Sequence, residues 1–198
     1  FRQYTLAVRD LETGRTLPDR VEKTDSFAWA ADNRTFFYTV EDAAKRRYRL
    51  YRHTLGAPKD ALVYEEKDER FELQAERSRS RVYIFVSSVS QTTSEVRYLR
   101  ADRPEESLRV VAAREPEHEY QVEHHGDRFY IRTNSGGRNF RLVWAPAADP
   151  RRENWKEVLP HRPSVMLEGM DFFARHSVLL EREEGLPRLR ITDLRSGE

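Results

Sequence analysis

Thr35-Phe-Phe-Tyr-Thr-Val40 and Val82-Tyr-Ile-Phe-Val86 decide the fold. A strand in a sheet with one wet face alternates apolar and polar residues, whereas these two runs are apolar on both sides. They predict sheets that are covered on both faces. The runs also recur in step. Phe37, Tyr83, Tyr130 and Leu179 fall in one register, and Val63, Val111 and Leu159 in another, at steps of roughly 46 to 49 residues. A repeat of that length built from short strands points to a β-propeller, whose blades stack face to face. A large β-sandwich also shows turn signals about every 8 to 12 residues, but it has no reason to repeat every four strands.

Working outward, the unit holding Phe37 reads as strands at Phe27 to Ala30, Thr35 to Val40, Tyr48 to Leu55 and Ala61 to Glu65, with Asp32-Asn33 and Gly56 with Pro58 at turns. The next reads Arg70 to Ala75, Arg81 to Ser87, Glu95 to Ala101 and Leu108 to Ala112. The one after reads Glu119 to His124, Arg128 to Thr133, Phe140 to Ala145 and Trp155 to Leu159. Two strands of an earlier unit precede them, Tyr4 to Leu11 and Thr16 to Val21, and three of a later unit follow, near Met170 to Ala174, Ser177 to Arg182 and Leu186 to Leu194. The expected fold is all-β, about three complete four-stranded blades plus two incomplete ones. The divisions expected are an incomplete blade over 1–25, blades over 26–66, 67–114 and 115–161, and an incomplete blade over 162–198. The ends, Phe1 without an initiator methionine and a turn at Leu194 to Glu198, give the look of a piece cut from something longer. An open arc would leave two apolar blade faces bare, so self-association of the fragment is expected.

Composition narrows the classes of function. With 198 residues and 38% hydrophobic content the chain can bury a core, and 35% charged residues nearly cancel to +1, so net charge implies neither nucleic acid nor membrane as a partner. Cysteine is absent, which removes disulfides, thiolate nucleophiles and cysteine metal sites and suits a reducing compartment. No apolar run approaches the roughly 18 residues of a membrane span. A cytoplasmic location is expected.

Motifs for chemistry are missing. There is no Gly-x-Ser-x-Gly elbow, His-Glu-x-x-His pair, phosphate loop or dinucleotide fingerprint, so no catalytic residue, metal or cofactor is expected. His118-Glu-Tyr-Gln-Val-Glu-His-His125 could supply metal ligands, but His118 and His124 would stand about 20 Å apart on a strand, and solvated or turn histidines are the plainer expectation. Ser135-Gly-Gly-Arg138 reads as a hairpin turn before an anion nest, and Arg46 to Arg52 as an exposed strand with outward arginines before a nucleic-acid patch. One pattern survives. The links leading into the first strand of each unit carry Glu22 and Asp25; Glu65, Glu66, Asp68 and Glu69; Glu115, Glu117 and Glu119; and Glu168 and Asp171. Arginines concentrate instead on third strands, at Arg49, Arg52, Arg97, Arg100, Arg141, Arg188 and Arg190. In a propeller every such link reaches the axis on one face, so Glu22, Glu66, Asp68, Glu117, Glu119 and Asp171 are expected around one mouth of the channel, where they would favour cationic ligands.

Several segments, in order along the whole chain, resemble a known family. They are Arg9-Asp-Leu-Glu-Thr-Gly14, Phe27-Ala-Trp-Ala-Ala-Asp-Asn33, Tyr51-Arg-His-Thr-Leu-Gly56, Leu62-Val-Tyr-Glu-Glu-Lys-Asp-Glu69, Thr92-Thr-Ser-Glu-Val-Arg97, Glu119-Tyr-Gln-Val-Glu-His124, Arg128-Phe-Tyr130, Arg138-Asn-Phe140 and Met166-Leu-Glu-Gly169. Together they resemble the propeller of the oligopeptidase B (protease II) branch of the prolyl oligopeptidase family of serine peptidases. The resemblance implies a seven-bladed ring over an α/β-hydrolase domain, the partner that carries the Ser, Asp and His triad and the main acidic specificity residues. It implies as substrates short basic peptides cleaved after Lys or Arg. None of the triad motifs occurs here, so the resemblance assigns this chain a gating role without catalytic residues. The rival expectation is a non-catalytic propeller serving as a protein-interaction scaffold, and a third, metal-dependent reading rests on His118 to His125.

Overall fold

A computed structural model describes residues 4–197; Phe1 to Gln3 and Glu198, where the sequence suggested a cut end, lie outside the described residues. Apart from a 3-10 turn at Arg152–Asn154, all regular structure among the described residues is strand. Among the described residues no helix is long and apolar enough to cross a membrane. Four antiparallel sheets form. The first holds β1 (Tyr4–Arg9), β2 (Thr16–Trp29), β3 (Thr35–Glu41), β4 (Arg47–Thr54) and β5 (Ala61–Glu65). The second holds β6 (Glu72–Arg77), β7 (Tyr83–Val89), β8 (Ser94–Arg100) and β9 (Arg109–Val110). The third holds β10 (Tyr120–His125), β11 (Arg128–Thr133), β12 (Arg141–Pro146) and β13 (Lys156–Leu159), and the fourth β14 (Val165–Phe172), β15 (His176–Glu183) and β16 (Leu186–Asp193). Strands bond in chain order within each sheet, as propeller blades do.

The two-sided strands behave as their composition requires. On β7, Ile84 and Val86 face back and join Phe37, Leu50 and Leu73 between the first and second sheets. Tyr83 and Phe85 face forward and join Phe129 and Ile131 between the second and third. Leu142, Leu167 and Leu179 fill the next interface. Each fully buried side chain of this kind contributes about 1.5–3 kcal/mol, so the face-to-face stacking is the main source of stability. Phe37, Tyr83 and Tyr130 all point forward, but Leu179 packs backward onto the third sheet. The last step of the repeat was read too long, and a small slip along a strand exchanges its faces.

Two boundaries differ from the sequence reading. Thr16 to Val21 and Phe27 to Ala30, assigned there to different blades, belong to one 14-residue strand, so the division placed between 25 and 26 falls inside β2. Its two halves nevertheless do different things. Lys23 has φ 56, the pairing with β3 slips between Thr24 and Phe27, and the partner changes from β1 to β3. The kink carries the β1–β2 hairpin across the far face of β3 and β4, where Val8 and Val21 cluster with Phe36 and Tyr38. The hairpin is therefore a further layer, and that end of the arc is not bare. The second difference is β14, which starts at Val165, so Glu168 and Asp171 lie within the strand and not in a link before it. Pro163 and Ser164 instead lead into it. At this end the outer face is open: Leu180, Leu189 and Ile191 are 37%, 66% and 60% exposed, with Leu180 paired opposite Leu189.

Candidate functional site

The ends of β6, β10 and β14 lie together, since Arg79 just past β6 meets Glu123 on β10 and Asp171 on β14, so residues before these strands lie at the opposite side of the arc. Glu66, Asp68, Glu117 and Glu119 precede β6 and β10. Glu66 is buried and accepts from Arg114 Nη2 at 2.6 Å, from the Asp68 N–H at 3.0 Å and from the Tyr64 hydroxyl at 3.3 Å. Burial opposes its charge, but the Arg114 guanidinium overcomes this and holds the carboxyl below its ordinary range. Asp68 is held at about 2 by hydrogen bonds from Arg70. Glu117 is exposed at φ 60, and its N–H donates to Thr93 Oγ1 at 3.0 Å. Glu119 is half-buried, its N–H donating to Asn134 Oδ1 at 3.0 Å. Arg70, Phe71, Thr93, Arg114 and Glu117 share a cavity of about 520 Å³. Glu22 stands apart in mid-β2, exposed and 3.7 Å from Arg20.

Asp171 lies at the other end. It sits next to the last residue of β14, and Arg79, just past the end of β6, donates to it from Nε at 3.1 Å. Arg79 also donates its N–H to the Glu123 carboxylate at 3.3 and 3.4 Å and lays its guanidinium 4.5 Å over the Phe173 ring. One residue thus ties the second, third and fourth sheets, its backbone N–H reaching the third and its side chain the fourth. Beside it a cavity of about 520 Å³ is lined by Gln74, Glu76, Gln121, Glu123 and Asp171. Burial pushes the Glu76 carboxyl up, and burial together with the nearby Glu76 charge pushes Glu123 up against the hydrogen bonds it accepts.

The acidic pattern missed Glu76 and Glu123 because it comes from the links before the first strands, whereas both lie within strands, β6 and β10. The signal was the repeat itself, since the two occupy equivalent places about 47 residues apart. The histidines also differ from expectation. His118 and His124 are buried, not solvated: His118 Nε2 meets Thr133 Oγ1 at 2.8 Å and His124 Nδ1 meets Ser80 Oγ at 2.7 Å. Burial lowers the pKa of both. Among the described residues no three His, Asp or Glu side chains group as metal ligands. The arginine run is tied to the protein: Arg46 caps the carbonyls of Glu66, Asp68 and Phe71, Arg47 bridges Asp25 and Glu72, and Arg52 meets Glu105.

A sequence profile described as the N-terminal β-propeller domain of prolyl oligopeptidase matches residues 2–198. The chain belongs to the prolyl oligopeptidase family. Within that family, a dipeptidyl aminopeptidase BI of Pseudoxanthomonas mexicana is 41% identical over 195 residues, which cover 96% of this chain and 27% of the relative. Protease 2 of Moraxella lacunata is 35% identical, covering 94% and 28%. Oligopeptidase B from Leishmania major superposes with a TM-score of 0.89 at 27% identity, covering 98% of this chain and 28% of the other. The chain therefore spans little more than a quarter of the length of these three relatives, and what it matches in the family is the propeller domain.

Proposed function

We propose that this chain is the non-catalytic propeller portion of a serine peptidase of the prolyl oligopeptidase family, admitting short basic peptides to an α/β-hydrolase domain of the same parent chain. The observation that carries the reading is the pair of acidic stations at opposite ends of the inner strands: Asp68, Glu117 and Glu119 before β6 and β10, and Glu76, Glu123 and Asp171 toward their far ends. Around the second cavity Glu76, Glu123 and Asp171 stand against Arg77 and Arg79, and a local excess of negative charge raises the concentration of cations there. Glu66, locked to Arg114, is a structural member of this set. The reading needs no metal or cofactor, and the absence of cysteine fits work in the cytoplasm.

Neutralising Asp68, Glu117 and Glu119 together with Gln or Asn in the full-length peptidase should lower kcat/KM for dibasic peptides several-fold at low ionic strength, with kcat nearly unchanged. The difference should fade as salt screens exposed charges over about 10 Å at 0.1 M. An unchanged salt dependence counts against charge-guided entry. The name of the 41% identical relative favours a second substrate class, peptides that lose a dipeptide from the amino terminus. Acidic inner strands would attract a terminal ammonium as readily as a lysine. Comparing dipeptidyl amides with amino-blocked arginyl amides separates the two, because only the blocked substrate lacks the free amine.

The open face of the fourth sheet gives a further expectation. The isolated chain should self-associate through Leu180, Leu189 and Ile191, and Leu189→Lys with Ile191→Lys should shift it toward monomer in light scattering. A wild-type chain that is monomeric at high concentration would remove this face as an association site.

A further inference from the structure

The β1–β2 hairpin is fastened to the face of β3 and β4 by two unlike contacts. One is the apolar cluster of Val8, Val21, Phe36 and Tyr38. The other is ionic and buried. His53 on β4, 6% exposed, places Nε2 2.8 Å from Asp19 Oδ1 on β2 and Nδ1 2.7 Å from Asp60 Oδ1 in the turn after β4. Asp19 also accepts the Gly56 N–H at 2.6 Å, and the Tyr38 hydroxyl of β3 donates to the second oxygen of Asp60. The Phe36 ring packs 4.9 Å from the imidazole.

A carboxylate on each ring nitrogen requires both nitrogens to donate, and only the imidazolium has two N–H groups. Deprotonation leaves a lone pair facing a carboxylate oxygen, so one of the two aspartates loses its imidazole donor and the positive charge beside it, and keeps only the Gly56 N–H or the Tyr38 hydroxyl. The neighbouring charges do not replace the proton. Arg20 of β2 and Lys59 of the turn line the cleft beside His53, along with Tyr51 of β4. Arg20 is committed to Glu22 at 3.7 Å.

We propose that His53 is a proton-dependent clasp between the β1–β2 hairpin and the sheet beneath it, closing this seam of the arc when protonated and loosening it when the proton is lost. Burial disfavours the charge on His53, but hydrogen bonds to Asp60 and Asp19 overcome it and raise its pKa above the ordinary 6.5. Its stabilisation is then complete below 6.5 and is lost as pH rises through the raised value. The Gly56 N–H, with His53, lowers Asp19 below the ordinary 3.8, so its part is present above 3.8 and is lost as pH falls through the lowered value. The clasp is closed between those limits and opens on the alkaline side. Loss of the hairpin uncovers Phe36 and Tyr38, so the two states differ in packing and not in charge alone.

Histidine C2-hydrogen exchange, read by mass spectrometry on the protein at its full expressed length, reports the titration of His53. It should lie above 6.5 and drop by about one unit or more in Asp60→Asn. Backbone deuterium exchange, corrected for intrinsic rate, should show protection of residues 4–21 falling at least about tenfold from pH 6.5 to 9, while β7 holds. In His53→Gln the hairpin should show no such pH dependence. Should that variant fail to fold, Asp60→Asn carries the comparison: its amide oxygen can take the Tyr38 hydroxyl and its NH2 can donate to a neutral Nδ1, so the fall in hairpin protection with rising pH should shrink or vanish. Titration of His53 at or below 6.5, hairpin protection that is flat with pH, or equal loss in β7 overturns the proposal.

Discussion

Phe129→Ala is expected to lower the unfolding free energy by about 3–5 kcal/mol. The ring has no exposed surface and lies among four others, 4.9 Å from Tyr83, 5.0 Å from Tyr98, 5.4 Å from Phe85 and 5.8 Å from His124. Its partners divide between β7 and β8 on one side and β10 on the other, so the side chain fills the joint between two sheets. Each sheet is held by its own hydrogen-bonded ladder, which limits how far the walls can collapse into the space an alanine leaves. The cost therefore includes the cavity as well as the lost burial. Phe129→Leu keeps most of the volume and should cost about 1.5 kcal/mol or less. Urea unfolding of the two variants side by side decides the point. An alanine variant no worse than the leucine one would mean that the sheets close up, and that stacking between them is looser than the ring geometry indicates.

The same two-faced packing explains what the sequence made legible. Thr35 to Val40 and Val82 to Val86 could be read because burial on both faces removes the alternation that ordinary antiparallel strands keep. The kink at Lys23 could not, since a lysine in a left-handed conformation has no local signature, and both halves of β2 are plausible strands alone. The misplaced start of β14 had a different cause. Glu168 and Gly169 look like a link, yet Gly169 is a strand residue beside Leu180, and pairing slips between Leu167 and Gly169. That error placed Asp171 at the wrong end of its strand and hid its contact with Arg79. The clasp of Asp19, His53 and Asp60 was equally invisible. Asp19 and His53 are distant in sequence and meet only because the hairpin folds over a strand it does not pair with.

Glu66→Gln should cost on the order of 3 kcal/mol, although the substitution keeps the size of the side chain. Glu66 is 4% exposed and its oxygens face the Arg114 guanidinium, which stacks 3.6 Å over the Phe71 ring. An amide at this position can present only one oxygen, and its NH2 group would meet donors of Arg114. The guanidinium would be left with Glu95 at 3.7 Å as its remaining carboxylate. Glu66→Gln combined with Arg114→Met removes both charges and should recover much of the loss. Glu117→Gln, at an exposed position in the same region, should stay within about 0.5 kcal/mol of wild type. The Glu66 carboxyl lies below its ordinary 4.5, so its contribution is present above 4.5 and disappears as pH falls through the lowered value. The Gln variant should lose that part of the acid dependence. Should Glu66→Gln be as mild as Glu117→Gln, the buried pair holds nothing together, and Glu66 returns to the group of carboxylates free to meet a basic peptide.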